Sequence, residues 1–376
     1  ELTDLWGMSI HIPCKDQISE FVGAIIELKE SSEIEKMLKN FLFETVLQSN
    51  EKDYDYILSH EEIEIPLPPR VVGMLIINPT VYGSVLAEDE VNEISEVLQR
   101  HNICAIEDLA YLFIDVQKHA SQGFFMNSGC PYISLIGISK PFSMAGLRLG
   151  LAASDKAFSE KIQSRVENSI GFVSPIFQDA LVALFKTPQS NIQGYFEFNN
   201  YKSVTSYQSK RWLSIFMIEG HLTDKLKKNE KEFCKYTINK EVKKFFDDYE
   251  ARGIFLFDEE LTHKSISHTD SYELFKSEIT ESFIENGLCR YFSIVRDVEA
   301  GFFFILNCQK MIDRSFIGPV KVSSSFDAFA LLSYFFGLKL FPSEAMGVQD
   351  PLRQNQLRYS FSSNTTLMVS AMFTAY

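Results

Sequence analysis

The sequence predicts an α/β protein, with a mostly parallel central sheet covered by helices and a smaller α+β part behind it. Three observations predict it. Strand-length apolar runs recur at residues 71–79, 103–108 and 132–139, and continuous apolar runs of this length suit strands buried on both faces. An amphipathic helix pattern at residues 87–102 separates the first two runs, as a parallel crossover requires. Each run ends on or just before a polar residue, Asn78, Asp108 or Lys140, and in such sheets ligands gather at the carboxyl ends of strands.

In chain order, residues 1–60 resist assignment, although residues 18–48 have helical spacing that fits one long helix or two shorter ones. The run at 71–79 is stopped by Asn78-Pro79, since proline cannot donate to a ladder. Residues 87–102 carry acids in the first turn and basic residues in the last, the arrangement the helix dipole favours. After the strands at 103–108 and 132–139, residues 201–220 read as a helix. The Lys- and Glu-rich residues 223–253 read as a solvated helical face. Residues 299–307 and 357–362 are strand-like, and residues 329–341 form a buried helix entering a strand. The expected organisation is an unassigned segment at 1–60, a large cofactor-binding domain at 61–200, and a smaller α+β domain at 201–376 with an insertion near 222–289.

Composition excludes several classes. With 376 residues, 45% of them hydrophobic, the chain can bury a large core. A formal charge of -14 argues against nucleic acid or an anionic membrane as partner, since both need clustered Lys and Arg. The apolar run at 329–341 contains Ser333, Gly337 and Lys339, and it is too short and too polar to span a bilayer. The six cysteines form no C-x-x-C pair, so they read as reduced thiols of a cytoplasmic protein. His263 and His268 lack the i, i+4 spacing of a helical metal site. The chain opens on Glu1 rather than Met, which leaves room for a segment before it.

Lysine at a buried strand end is costly unless its charge is lost or used. Burial lowers an amine's pKa and makes it nucleophilic toward an aldehyde, so a Schiff base is a natural use for Lys140. Pyridoxal 5'-phosphate is the cofactor that lysines hold in this way. Asp108 is placed to keep a proton on the ring nitrogen, and Arg148 offers a bidentate hold on the phosphate. The plainer readings are an Asp108 that caps a helix, a Tyr111 that simply packs, and an Arg358 on a strand surface.

These residues resemble a fold-type I pyridoxal-phosphate enzyme of the class I/II aminotransferase family. "IEDLAY" at 106–111 is similar to its Asp-x-x-Tyr strand end, and "SKPFSMAGLRLG" at 139–150 to its Ser-Lys followed by Gly-Leu-Arg-x-Gly. "NPTVYG" at 78–83 and "LRYSFS" at 357–362 resemble its Asn-Pro turn and its late arginine strand. The resemblance implies Lys140 as the Schiff-base lysine and proton shuttle, and Asp108 at the ring nitrogen. It places Tyr111 and Asn78 at the ring hydroxyl, Arg148 with Ser139 at the phosphate, and Arg358 on the substrate α-carboxylate. Three departures stand beside it. The second Asn-Pro of the turn is missing, Gly137 replaces a serine, and no glycine-rich phosphate loop precedes Asn78. The implied function is transfer of an amino group between an α-amino acid and a keto acid in a homodimer. A decarboxylase, lyase or synthase using the same cofactor, or a non-catalytic descendant, stays open as an alternative.

Overall fold

The computed structural model describes residues 8–14, 17–22, 73–80, 83–117, 122–147, 149–169, 174–186, 188–253, 268–317, 320–338, 340–346 and 355–376. The chain divides into two compact units. One comprises Glu1–Thr205 with Val298–Gly301, the other Ser206–Asp297 with Phe302–Tyr376.

The first unit is built on a six-stranded sheet of order β2-β1-β3-β4-β5-β6. Its strands are β1 (Met8–Cys14), β2 (Gln17–Val22), β3 (Gly73–Ile77), β4 (Cys104–Asp108), β5 (Tyr132–Gly137) and β6 (Gly150–Ser154). β3, β4 and β5 pair in parallel, whereas β6 runs antiparallel to β5 and β1 antiparallel to both its neighbours. Strands β2 to β5 therefore point one way, and β1 and β6 the other. The helical spacing read over residues 18–48 gives way to strand at Ile18 to Val22; the rest of that stretch lies outside the described residues.

Helix α1 (Glu88–Arg100) crosses from β3 to β4. Its Val91, Ile94, Val97 and Leu98 lie on one helical face and pack with Met74, Ile76, Ala105 and Phe125 of the sheet side. Each such burial contributes about 1.5–3 kcal/mol, which is why this stripe, rather than intrinsic propensity, fixes the crossover. The Ala87 N–H at the helix start donates to the Glu90 carboxylate at 2.8 Å, satisfying one of the donors that a helix N-terminus leaves open. Most of β3 and β4 is buried, whereas at the β5–β6 edge Leu135 is 41% and Leu151 37% exposed. Helices α2 (Lys156–Ser169) and α3 (Pro175–Lys186) follow β6.

Helix α4 (Gln189–Glu219) runs through the boundary expected at 200/201. In the second unit, α5 (Lys228–Ala251) and α6 (His268–Asn286) pack with the C-terminal α8 (Thr365–Ala375). Phe246, Phe283 and Phe373 meet edge to face at their centre, a geometry that suits aromatic quadrupoles. Within residues 222–289, expected as an insertion, α5 and α6 thus supply part of this unit's core. The charged α5 buries Cys234, Ile238, Val242 and Phe246 at helical spacing and leaves its other face to solvent. Strands β7 (Ser293–Ile294), β8 (Phe303–Asn307), β11 (Phe341–Pro342) and β12 (Gln356–Ser360) form a second sheet of order β11-β12-β8-β7. A separate hairpin joins β9 (Ser315–Ile317) and β10 (Val320–Lys321). Helix α7 (Ser325–Phe336) ends at Gly337 with φ 67° and leads toward β11 as expected. It is less buried than its composition suggests, because Phe326, Tyr334 and Phe335 are 51%, 83% and 50% exposed. Among the described residues, no helix is long and apolar enough to cross a membrane, and no cluster suits a metal ion. Cys104, Cys130, Cys234, Cys289 and Cys308 are free thiols.

Candidate cofactor site

Parallel register brings the expected site residues of the first unit to one end of the sheet. Ile77 stands beside Asp108, and Asp108 beside Leu135. The ladder continues past the strands, with Asn78 N–H donating to the Asp108 carbonyl at 3.0 Å and Leu109 N–H to the Leu135 carbonyl at 2.8 Å. Lys140 follows the end of β5 in a turn in which Phe142 N–H donates to the Ile138 carbonyl and Ser143 N–H to the Lys140 carbonyl, both at 3.2 Å. Ser143 takes a left-handed φ of 56° there.

The Lys140 Nζ lies 3.8 Å from the centroid of the Tyr111 ring, a cation–π distance. Tyr111 is 9% exposed and fixed in tight turns that follow β4, with Ile114 N–H donating to its carbonyl at 3.2 Å. The Asp108 carboxylate accepts from Ala110 N–H at 2.9 Å. This bond closes a local Asx turn, and no helix follows Asp108 for it to cap. Burial pushes the Asp108 pKa above the ordinary carboxylate value, while the Ala110 N–H and the Lys140 charge pull the other way. An amine, a phenol ring and a half-buried carboxylate therefore stand together at the strand ends.

Asn78 is different. Fully buried, it accepts from Leu86 N–H at 3.0 Å and donates to the Gly123 carbonyl at 3.1 Å. Gln122 Nε2 donates to its main-chain carbonyl at 3.0 Å. Its side chain binds the protein's own backbone at both ends. Ser139 is half-buried in the lysine turn, and Arg148 lies outside the described residues. Arg358 belongs to the second unit, on β12, its guanidinium 4.7 Å from the Phe303 ring centroid and 5.3 Å from that of Phe341.

Two carboxylates escape sequence reading. Glu107, fully buried in β4, accepts from Ser134 Oγ at 2.6 Å and from Phe125 N–H at 3.4 Å. Glu299 accepts from Val85 N–H at 3.1 Å across 214 positions of sequence. Only the "IED" acidity of residues 106–108 hinted at the first, and nothing local hinted at the second.

Comparison with known proteins finds similar sequences and folds. The family model described as aminotransferase class I and II matches residues 70–211. The aspartate aminotransferase of Geobacillus stearothermophilus is 24% identical over 140 residues, 36% of this chain and 36% of that protein. Among solved structures, an aspartate aminotransferase mutant from Thermus thermophilus matches with a TM-score of 0.51 at 12% identity, over 82% of this chain and 60% of that one. The aromatic aminotransferase of Pyrococcus horikoshii matches with a TM-score of 0.51 at 14% identity, over 81% and 59% of the two chains. The chain thus spans little more than a third of the curated relative's length and about three fifths of these structures. Residues 70–211, which carry Asn78, Asp108, Tyr111, Ser139, Lys140 and Arg148, are thus similar to the class I and II aminotransferases, and the chain shares the fold-type I architecture of those structures.

Proposed function

We propose that the chain is a pyridoxal-phosphate-dependent aminotransferase that moves an amino group between an α-amino acid and a keto acid, with Lys140 as the residue joined to the cofactor. The observation that carries this reading is the Lys140 amine at 3.8 Å from the Tyr111 ring, with Asp108 at the neighbouring strand end. The donor set fits the cofactor at three groups, with an amine for its aldehyde, a carboxylate for its ring nitrogen and a phenol for its ring hydroxyl. When bound, the cofactor supplies an electron sink for the pair left at the substrate's α-carbon.

The chain's own residues do the rest. Lys140 would hold the cofactor through its aldehyde and would serve as the base that moves the substrate's α-proton. Asp108 would hold a proton on the ring nitrogen, whose charge would add to that of Lys140 in opposing the rise that burial gives its pKa. Tyr111 would donate to the ring hydroxyl. Ser139 and Arg148 would hold the phosphate, and Arg358 would hold the substrate α-carboxylate in the bidentate manner open to a planar guanidinium. Asn78, whose side chain fastens the turn beside the ring, would meet the ring hydroxyl with Tyr111.

Borohydride reduction of cofactor-saturated protein, followed by peptide mass spectrometry, should place a pyridoxyl group on Lys140. Lys140→Ala should remove that adduct and lower turnover by several orders of magnitude. An adduct on another lysine, or none, overturns the reading. The same proposal includes a homodimer, because sites of the family resembled lie at a subunit interface. Light scattering that finds a fully loaded, active monomer would contradict it.

A further inference from the structure

We infer that Glu299 is a positioning residue, and that the four-residue strap Val298–Gly301 aligns the turn after β3 for the cofactor. The inference rests on the cofactor reading of that turn. Although the flanking sequence on both sides belongs to the second unit, these four residues fold with the first. Val298 and Ala300 are fully buried there.

The strap grips both segments that border the site. On one side, Glu299 and Ala300 N–H donate to the Gly83 carbonyl at 2.7 and 3.1 Å, and the Glu299 carboxylate accepts from Val85 N–H. On the other, Val116 and Gln117 N–H donate to the Glu299 carbonyl at 2.9 and 3.1 Å, and Gly301 N–H donates to the Ile114 carbonyl at 2.7 Å. The first segment leaves β3 at Asn78, and the second continues the turns that hold Tyr111. One residue therefore fixes the spacing between the Asn-Pro turn and the Tyr111 turn. Gly83 records how close the approach is: with φ +80°, any Cβ there would meet the Val298 side chain at 2.5 Å.

The turn also has an internal frame, with Thr80 and Ser84 joined through their hydroxyls at 2.7 Å and Leu86 N–H held by Asn78. Of the bonds just described, only the Val85 N–H contact uses the Glu299 side chain, so side-chain replacement isolates it from the main-chain grip. A hydrogen bond to a charged acceptor is worth enough to change a local opening equilibrium about tenfold.

The test uses the full chain with two variants. In protein free of cofactor, Glu299→Ala should speed amide exchange at Val85 by about tenfold and leave the urea unfolding midpoint unchanged. It should also weaken cofactor binding by a similar factor, measured by titration of absorbance. Glu299→Gln keeps an acceptor oxygen and should restore both. Unchanged Val85 exchange, or faster exchange with unaltered cofactor affinity, overturns the inference. So does a Gln variant that behaves like Ala. Failure of the underlying reading shows separately, as the absence of a pyridoxyl adduct on Lys140 in the unsubstituted protein.

Discussion

Two adjacent carboxylates on one strand, one fully buried and one half-buried, have opposite surroundings. Asp108 and Glu107 are adjacent in β4, so their side chains leave opposite faces of the sheet. Asp108 meets the Lys140 charge, whereas Glu107 is held by a hydroxyl and a peptide N–H. Burial raises the Glu107 pKa, and its two hydrogen bonds only partly offset this. The native state therefore holds the Glu107 proton more tightly than the unfolded chain does. Stability from this group is present below the unfolded value, near 4.5, and is lost as pH rises through the raised native value. Glu107→Gln keeps the shape and the Ser134 and Phe125 partners but cannot ionise. Urea unfolding at about pH 5 and pH 8 should show the variant losing less stability with rising pH than the parent, by ~1 kcal/mol for each unit of raised pKa. The slope that remains includes the Asp108 share, which has the same sign. Equal slopes in variant and parent would show that Glu107 is not protonated preferentially in the native state.

At the level of elements, the sequence was most legible where short-range chemistry decides the outcome. β3, α1, β4 and β5 stand close to where apolar runs, an acidic first turn and an Asn-Pro stop placed them. Once these are parallel, Asn78, Asp108 and Lys140 must share one end of the sheet, so the position of the site was readable. β6 was not, because Gly-Leu-Ala-Ala-Ser has no run long enough to signal a strand, and its place depends on pairing with β5. β1 mixes polar and apolar residues and gains its role from the β3 edge. α7 has the composition of a buried helix, but burial depends on what lies against each face, and periodicity alone does not supply that. The strap is the extreme case. Val298–Gly301 looks like the start of a strand in sequence, yet it packs on Gly83, whose missing side chain leaves room for Val298. Asn78 stands at the strand end where the Asn-Pro stop puts it, but its side-chain partners, Leu86 and Gly123, are eight and 45 positions away and leave no local signal.

For the molecule as a whole, the proposed chemistry is divided between two units. Lys140, Asp108 and Tyr111 belong to the first, Arg358 to the second. Cofactor capture and substrate capture should therefore respond to different substitutions. Arg358 is half-buried beside the Phe303 and Phe341 rings, which orient a planar guanidinium and cost it little, because it is weakly hydrated. Lysine in its place keeps the charge but loses both the stacking and the two parallel donors. Losing a charge-assisted pair costs about 2–3 kcal/mol, or roughly a hundredfold in affinity. Arg358→Lys should thus weaken amino-acid binding by about that factor while the pyridoxyl adduct on Lys140 forms as before. The bond that breaks can be read in the same preparation. Incubation with amino acids in deuterated water should give deuterium at Cα together with a keto acid, because an arginine that stabilises the carboxylate as an anion opposes its departure as carbon dioxide. Release of carbon dioxide without keto acid would move the assignment to a decarboxylase. An Arg358→Lys protein with unchanged amino-acid affinity would remove the carboxylate from β12 and leave the Lys140 site standing.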